Sequence, residues 1–441
     1  MPRVLVRPLT AVALVFCAFA WPAPSALAAG APSARAQSAG LLGGVNIVGL
    51  DFHTPLQEAD RTIADARQLH VKILRTDFPW SVLEPDGRGM ISQRALAFTD
   101  RLVGDASAAG IRVVATVAGT PCWASSAPAA LLAKCRAGQG NAANAWPPKA
   151  PADYAAIVSL LAQRYGGRLA AIEVWNEPDQ TNEAYFAGPH KAERYAAVLR
   201  AAYPAIKQAS PSLPVLAGSL VGSNGTFLRA LYAAGIKGFY DGLSVHYYNL
   251  TLASLRSIHE VQLANGDTRP LWLDEFGWSS CWPKQRIQQE QACVTARIQA
   301  TNLKDTLRAL VRTPYVAAAI VYKLRDSGLE DFGMLSARGA HKPAFVALAG
   351  VLAAPLGSAG RVVLSLRRAG RSVVASGSAP VGDFMGLEAF QGKVPRYRAL
   401  FTLDRFNRYA IRLPSVLGTH GLRVRVYQYS AGLAAEAAKS I

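Results

Sequence analysis

Two glutamates stand where apolar, strand-like runs give way to turn residues. One is Glu177 in Trp175-Asn176-Glu177-Pro178, the other Glu275 in Asp274-Glu275-Phe276-Gly277. Carboxylates far apart in sequence can face each other across a sugar, and that pair is the minimum equipment for cleaving a glycosidic bond. Glu275 suits a nucleophile at the anomeric carbon. Glu177 suits the acid/base, with Asn176 as a neighbour for the sugar 2-hydroxyl. The mechanism this implies is a double displacement: Glu177, its pKa raised beside an ionised Glu275, protonates the leaving oxygen, and water later releases the glycosyl ester. A lone glutamate at a strand end is more often a surface carboxylate or a salt-bridge partner; two in such settings reverse that expectation.

Such side chains need a scaffold, and the sequence offers eight β-rich apolar runs: 43–49, 71–78, 111–119, 169–176, 213–220, 241–248, 270–277 and 316–325. Most are continuous rather than alternating, as for parallel strands covered on their outer face. Amphipathic stretches such as 57–69, 152–165 and 192–209 lie between them. Eight strand–helix alternations predict a (β/α)₈ barrel over 41–354, whose working residues sit at the C-terminal strand ends. The absence of Gly-x-Gly-x-x-Gly after the first run argues against a dinucleotide-binding open sheet. On the seventh strand Leu271, Leu273 and Glu275 share a face, so Glu275 points inward if the leucines fill the barrel. On the fourth, strict alternation cannot aim both Asn176 and Glu177 at one substrate, so a bulge or strand end must intervene. From Arg361 short alternating segments separated by turn residues predict a small antiparallel β-sandwich over 358–441.

Four-residue identity at Trp175-Asn176-Glu177-Pro178, with Glu275 on strand seven, resembles clan A glycoside hydrolases. The segment Leu74–Pro85 is similar to the second strand of family 39, and Ser244–Tyr248 to its sixth. The resemblance implies that Arg75 holds the nucleophile, that His246 and Tyr248 flank it, and that the enzyme retains anomeric configuration. It extends more weakly to secreted endoglycosidases of bacterial exopolysaccharide. The chain departs from the pattern at strand eight, where Tyr322 and Lys323 replace the tryptophan that often floors the sugar site. Independently, an inward Arg75 could fork onto Glu275 and keep it ionised; a purely structural ion pair is the alternative. Trp80 and Trp278, just beyond strand ends, are the expected sugar platforms. Trp123 and Trp282, beside Cys122 and Cys281, read equally well as loop-packing anchors.

Composition sets the remaining bounds. The chain has 441 residues, 51% of them hydrophobic, enough for more than one core. Arg3 and Arg7, the apolar run Leu9–Trp21 and Ala26-Leu27-Ala28 read as a signal peptide over 1–28 and an exported protein, with a flexible linker over 29–40. In an oxidising compartment Cys122, Cys135, Cys281 and Cys293 are expected as disulfides, and local pairing is the simplest of three connectivities. No metal-ligand spacing is present, and neither a metal nor a cofactor is expected. The formal net charge of +18 is densest after Arg361. It suits an acidic or wall-associated glycan, or attachment to the cell envelope through the basic C-terminal domain, as well as it suits general arginine usage. No helix-turn-helix or zinc-finger pattern supports nucleic acid. The expected partner is a polysaccharide or oligosaccharide, acted on by a monomer. A catalytically silent binder or envelope interaction protein on the same fold, and a transglycosylase, are the competing readings.

Overall fold

The computed structural model describes residues 41–50, 53–248, 252–283, 293–311, 313–327, 330–353, 362–379, 385–404, 408–428 and 436–441. The expected signal, the linker and the junction at 354–361 lie outside them. Eight parallel strands close into a barrel in sequence order. They are β1 (Leu42–Asn46), β2 (Ile73–Pro79), β3 (Arg112–Ala118), β4 (Leu169–Val174), β5 (Val215–Leu220), β6 (Gly242–His246), β7 (Leu271–Phe276) and β8 (Val316–Val321). Each falls within one of the eight apolar runs or within a residue of it.

Helices cover the outside. In the first, α1 (Leu56–Gln68), Ala59, Thr62, Ile63 and Ala66 are buried, a spacing of three and four that lays one face on the barrel. After β2 comes a single turn, α2 (Trp80–Leu83), and then α3 (Gln93–Ala108), where the Ser92 side chain accepts from Ala95 N at 3.3 Å as an N-cap. Then α4 (Ala129–Arg136) and α5 (Pro151–Tyr165) follow β3, and α6 (Lys191–Ala209) follows β4. The set continues with α7 (Thr226–Ala233), α8 (Leu252–Ala264), α9 (Ala296–Leu310) and α10 (Pro343–Leu352). Outward strand residues such as Val45, Leu74, Ile172, Leu271 and Leu273 join the helices in the main core. Inside the barrel a separate cluster holds Ile73, Val114, Ala171, Leu216, Trp272 and Ile320. Trp272 fills this space only because Gly242 faces it; a Cβ there would lie 2.8 Å from the indole.

The interior cluster corrects the expected face of β7. Leu271 and Leu273 point outward, and Trp272 points in. Strict alternation would therefore aim Glu275 at the helices. Instead the pairing slips: Val245 matches Leu273, but His246 matches Glu275, leaving Asp274 as an extra residue. This bulge re-aims the end of the strand, so that both Asp274 and Glu275 face the barrel axis.

The C-terminal residues form a three-stranded sheet, β13 (Arg408–Arg412), β10 (Ser372–Ser378) and β9 (Val363–Ala369), and a four-stranded sheet, β12 (Val394–Phe401), β11 (Met385–Gln391), β14 (Leu422–Gln428) and β15 (Glu436–Ser440). Leu364, Val373 and Ala375 from one meet Met385, Leu387, Val424 and Val426 from the other in a single core, the arrangement of a sandwich. The strands β11 and β15 carry weak β signals in sequence, with Gly386 in one and Ala437 and Ala438 in the other.

Candidate active site

At the C-terminal end of the barrel lies a cavity of about 740 Å³, within the usual range for small-ligand pockets. Glu275 enters it from the β7 bulge. Arg75, inward on β2, donates from Nη1 to Glu275 Oε1 at 2.7 Å, and the Tyr248 hydroxyl donates to Glu275 Oε2. The nucleophile candidate is therefore held at both oxygens. Arg75 also donates to Glu173 Oε2 at 2.8 Å, to Asn176 Oδ1 at 2.8 Å and to Asn46 Oδ1 at 3.1 Å. Burial works against the guanidinium charge, but the surrounding acids, Glu173 foremost, outweigh it and keep Arg75 firmly protonated. Burial and the charge of Glu275 push the Tyr248 phenol well above its usual range, so it remains a donor.

Glu177 arrives by a different route. Pairing of β4 ends at Val174, and both Trp175 (φ 74°) and Glu177 (φ 44°) adopt left-handed backbone. Side chains rarely take that conformation, and two such residues in three turn the chain so that Asn176 and Glu177 both reach the cavity. The strand end foreseen between them is this pair of left-handed residues. Trp175 is packed against Tyr154 and Phe186 and donates from Nε1 to the Tyr185 carbonyl at 2.7 Å, which pins the turn. Glu177 Oε1 lies 2.7 Å from His246 Nδ1, and Oε2 accepts from Gln180 Nε2 at 2.8 Å. Burial alone would raise the Glu177 carboxyl, but the hydrogen bond and charge of His246 outweigh it and hold it below the usual range. The raised pKa expected beside Glu275 is thus reversed in the free enzyme, because the nearest group to Glu177 is a donor rather than a carboxylate.

Glu177, His246 and Glu275 converge: one carboxyl oxygen of each acid and one ring nitrogen all lie within 4.8 Å of one another. A second convergence beneath it joins Glu173, His246 and Asp274 at the same spacing. These are the two places among the described residues where three ligand-type side chains meet. Both share His246 and both have a carboxylate paired with Arg75, whose charge already occupies the counter-ion role. Of the residues they join, Glu177 and Glu275 line the pocket, and the rest lie beneath it.

The sugar-facing aromatics differ from expectation. Trp80 is fully buried; it opens α2, donates from Nε1 to Glu84 Oε2 at 2.6 Å and packs edge-on against Trp123 and Tyr154. Trp278 is also buried in the main core. Neither lines the cavity, and Trp80 is consumed by packing behind its wall. Aromatic cover comes instead from Tyr248, Tyr322 and Phe332, mutually edge-on at 5.3–5.7 Å, and from Tyr185 at the rim. Tyr322 thus does line the cavity, where its hydroxyl donates to Glu330 at 3.0 Å. The predicted disulfides Cys122–Cys135 and Cys281–Cys293 are both formed, with Cα atoms 5.8 and 5.0 Å apart. The first braces the loop after β3, which contributes Asn141, Ala142, Asn144 and Ala145 to the pocket. Residues 284–292 of the second loop lie outside the described part.

Charge in the pocket runs opposite to the chain as a whole. Among the described residues Asp77, Glu177, Glu183, Glu275 and Glu330 line it against Arg75 alone. The expectation of an acidic glycan, drawn from net charge, does not carry into the cavity.

Residues 157–343, from α5 to the start of α10, match the model of the glycosyl hydrolase catalytic core. The chain carries a glycosyl hydrolase catalytic core. The matched segment holds both Glu177 and Glu275. No curated protein matches the sequence. Among solved structures this glycoside hydrolase is similar to a family 39 glycoside hydrolase from Bacteroides cellulosilyticus WH2, at TM-score 0.55 and 18% identity, over 85% of this chain and 81% of that one. It is similar also to the family 39 enzyme of Xanthomonas axonopodis pv. citri, at 0.52 and 14%, over 86% and 93%. A family 30 endoxylanase from Clostridium papyrosolvens C71 aligns at 0.52 and 14%, over 86% and 95%. At such identities the likeness speaks for the fold of the hydrolase, a barrel with an added β domain.

Proposed function

We propose that the protein is a retaining glycosidase working by double displacement, with Glu275 as nucleophile and Glu177 as acid/base. The observation that carries this is the approach of the two carboxyls to within 4.8 Å inside one cavity. Retention calls for a separation of about 5–5.5 Å, whereas inversion needs roughly 6.5–9.5 Å to admit a water. Glu275 attacks the anomeric carbon while held by Arg75 and Tyr248; Glu177 gives its proton to the leaving oxygen; Glu177 then takes a proton from the water that releases the sugar. His246 Nδ1, 2.7 Å from Glu177, is placed to pass the proton that Glu177 needs, and substrate binding that excludes water favours the neutral carboxyl.

The acidic lining favours a neutral or amine-bearing poly- or oligosaccharide over a uronate. The protein is read as exported: the first 28 residues have signal-peptide character, and two disulfides belong to an oxidising compartment. The test is a panel of neutral, deacetylated and uronate-containing polysaccharides with mass spectrometry of products, followed by trapping with a 2-deoxy-2-fluoro glycoside. We expect a label on Glu275 and first-formed product of unchanged anomeric configuration. A label on another carboxylate, or an inverted product, would overturn the assignment.

A further inference from the structure

Beneath the pocket lies a layer of polar groups that this reaction scheme leaves idle. Asp274 is fully buried, and neither of its carboxyl oxygens has a hydrogen-bond partner. Glu173 Oε1 and His246 Nε2 are orphaned in the same way. Yet these groups are neighbours: Asp274 Oδ1 stands 3.4 Å from His246 Nε2, and a carboxyl oxygen of Glu173 lies within 4.8 Å of both residues. Buried polar atoms in native proteins find partners, so four orphans side by side call for a hydrogen that joins them. The arginine shows where it sits. Arg75 hydrogen-bonds Glu173 and Glu275 but only passes Asp274, with Nε 3.4 Å from Oδ2. An ionised carboxylate so close would compete for the fork, whereas a carboxylic acid would not. Two anions already outnumber the one guanidinium, and a third would stand uncompensated in the barrel interior.

We propose that Asp274 is a neutral carboxylic acid sharing one proton with Glu173, and that it acts as a positioning residue by accepting Nε2–H of His246. Two hydrogens then satisfy all four atoms in a chain: Asp274 Oδ2–H donates to Glu173 Oε1, and His246 Nε2–H donates to Asp274 Oδ1. With Nε2 committed as a donor, Nδ1 is the face of the ring that exchanges a proton with Glu177 across 2.7 Å. The buried acid thereby tunes the acid/base without touching substrate. Burial and the adjoining Glu173 charge act in the same sense, pushing the Asp274 carboxyl well above its usual range. The charged and titratable groups around it are Arg75 and Asp77 from β2, Glu173 from β4, Glu177 beyond it, His246 from β6 and Glu275 on its own strand.

This inference rests on Glu177 being the acid/base, and the test separates the two. Asp274→Asn keeps a neutral group with one acceptor and one donor, so its pH–rate profile should match wild type within about threefold at every pH. Asp274→Val leaves Nε2–H without an acceptor. The basic limb of kcat/KM should then move to lower pH by about one unit, a tenfold loss above the limb, for substrates with poor leaving groups only. A shift as large in Asp274→Asn would mean that the ionised form matters, and no shift in either would reduce Asp274 to packing; both overturn the proposal. Infrared spectra of wild type at neutral pH give a measure independent of variants and of Glu177. A protonated-carboxyl C=O band that moves on ¹³C-aspartate labelling is expected, and its absence sinks the idea.

Discussion

The ends of β4 and β7 deliver the same functional group by different physics. On β7 a single extra residue in the ladder turns Glu275 inward, and two donors, Arg75 and Tyr248, hold it there. On β4 the ladder stops and two left-handed residues carry Glu177 into the cavity, where its partners are a histidine and an amide. A cation and a phenol hold a carboxylate by a donor at each oxygen. A histidine lets a carboxyl gain and lose a proton. The two arms are built for a nucleophile and for an acid/base, and the roles could not be exchanged without exchanging the neighbours. Each arm can be broken separately.

The largest effect is expected from Glu275→Ala, because Glu275 is the carboxylate that Arg75 and Tyr248 hold in place to form the covalent ester. Turnover should fall by on the order of 10⁴-fold or more. Azide should restore it, yielding a glycosyl azide of inverted configuration. Recovery of a retained azide would place the nucleophile elsewhere. Glu177→Ala should lose about 10²–10⁴-fold on substrates with poor leaving groups and little on dinitrophenyl glycosides, with the basic limb of the pH profile abolished. A uniform loss across leaving groups would contradict its role.

Between these two arms stands Arg75, and its removal should be felt first in stability. Arg75→Met leaves Glu173 and Glu275 buried without their cation, which is expected to cost about 3–5 kcal/mol in a denaturant melt. The pH dependence has a definite sign. Burial disfavours the charge on Glu173, but Arg75 and hydrogen bonds from its neighbours outweigh this and hold its carboxyl below the usual range. A depressed carboxyl stabilises the fold above its unfolded value, about 4.3, and that contribution fades as pH falls through the lower folded value. Wild type should therefore lose stability on acidification below about pH 4 more steeply than Arg75→Met; parallel curves would show that the pairing contributes nothing.

The contrast between the arms also explains what the sequence could and could not tell. Continuous Val/Ile/Leu/Ala runs announce strands covered on both sides, and Pro178 announces the end of one; hence the barrel and Glu177 were legible. The bulge at Asp274 was not, since no residue of Leu271–Phe276 is one that bulges require. Glu173 was missed although it carried a signal: a lone charge between Ile172 and Val174, inside a run otherwise apolar, must be paired if buried. Its partner lies on another strand, beyond the reach of local pattern. Phe332 and Tyr185 were likewise illegible, for they come from loops whose path depends on the barrel beneath them. Trp80 failed for the opposite reason. A tryptophan after a strand looks like a platform, but the helical turn that begins there folds it back into the wall.

That correction yields the smallest prediction and the sharpest contrast with the two arms. Trp80→Phe removes the hydrogen bond to Glu84 and part of the edge-on packing against Trp123 and Tyr154. Loss of one buried hydrogen bond and some volume should cost about 1–3 kcal/mol in thermal or chemical melts. Because the indole has no exposure to the cavity, KM for an oligosaccharide should be unchanged within about twofold. Tyr248→Phe makes the matching experiment at a residue that does face the sugar site: kcat should fall roughly tenfold or more through the lost bond to the Glu275 carboxylate, with little change in the melt. Should Trp80→Phe raise KM while leaving stability intact, the indole would have to reach the sugar, and the wall between them would not be the closed packing described above.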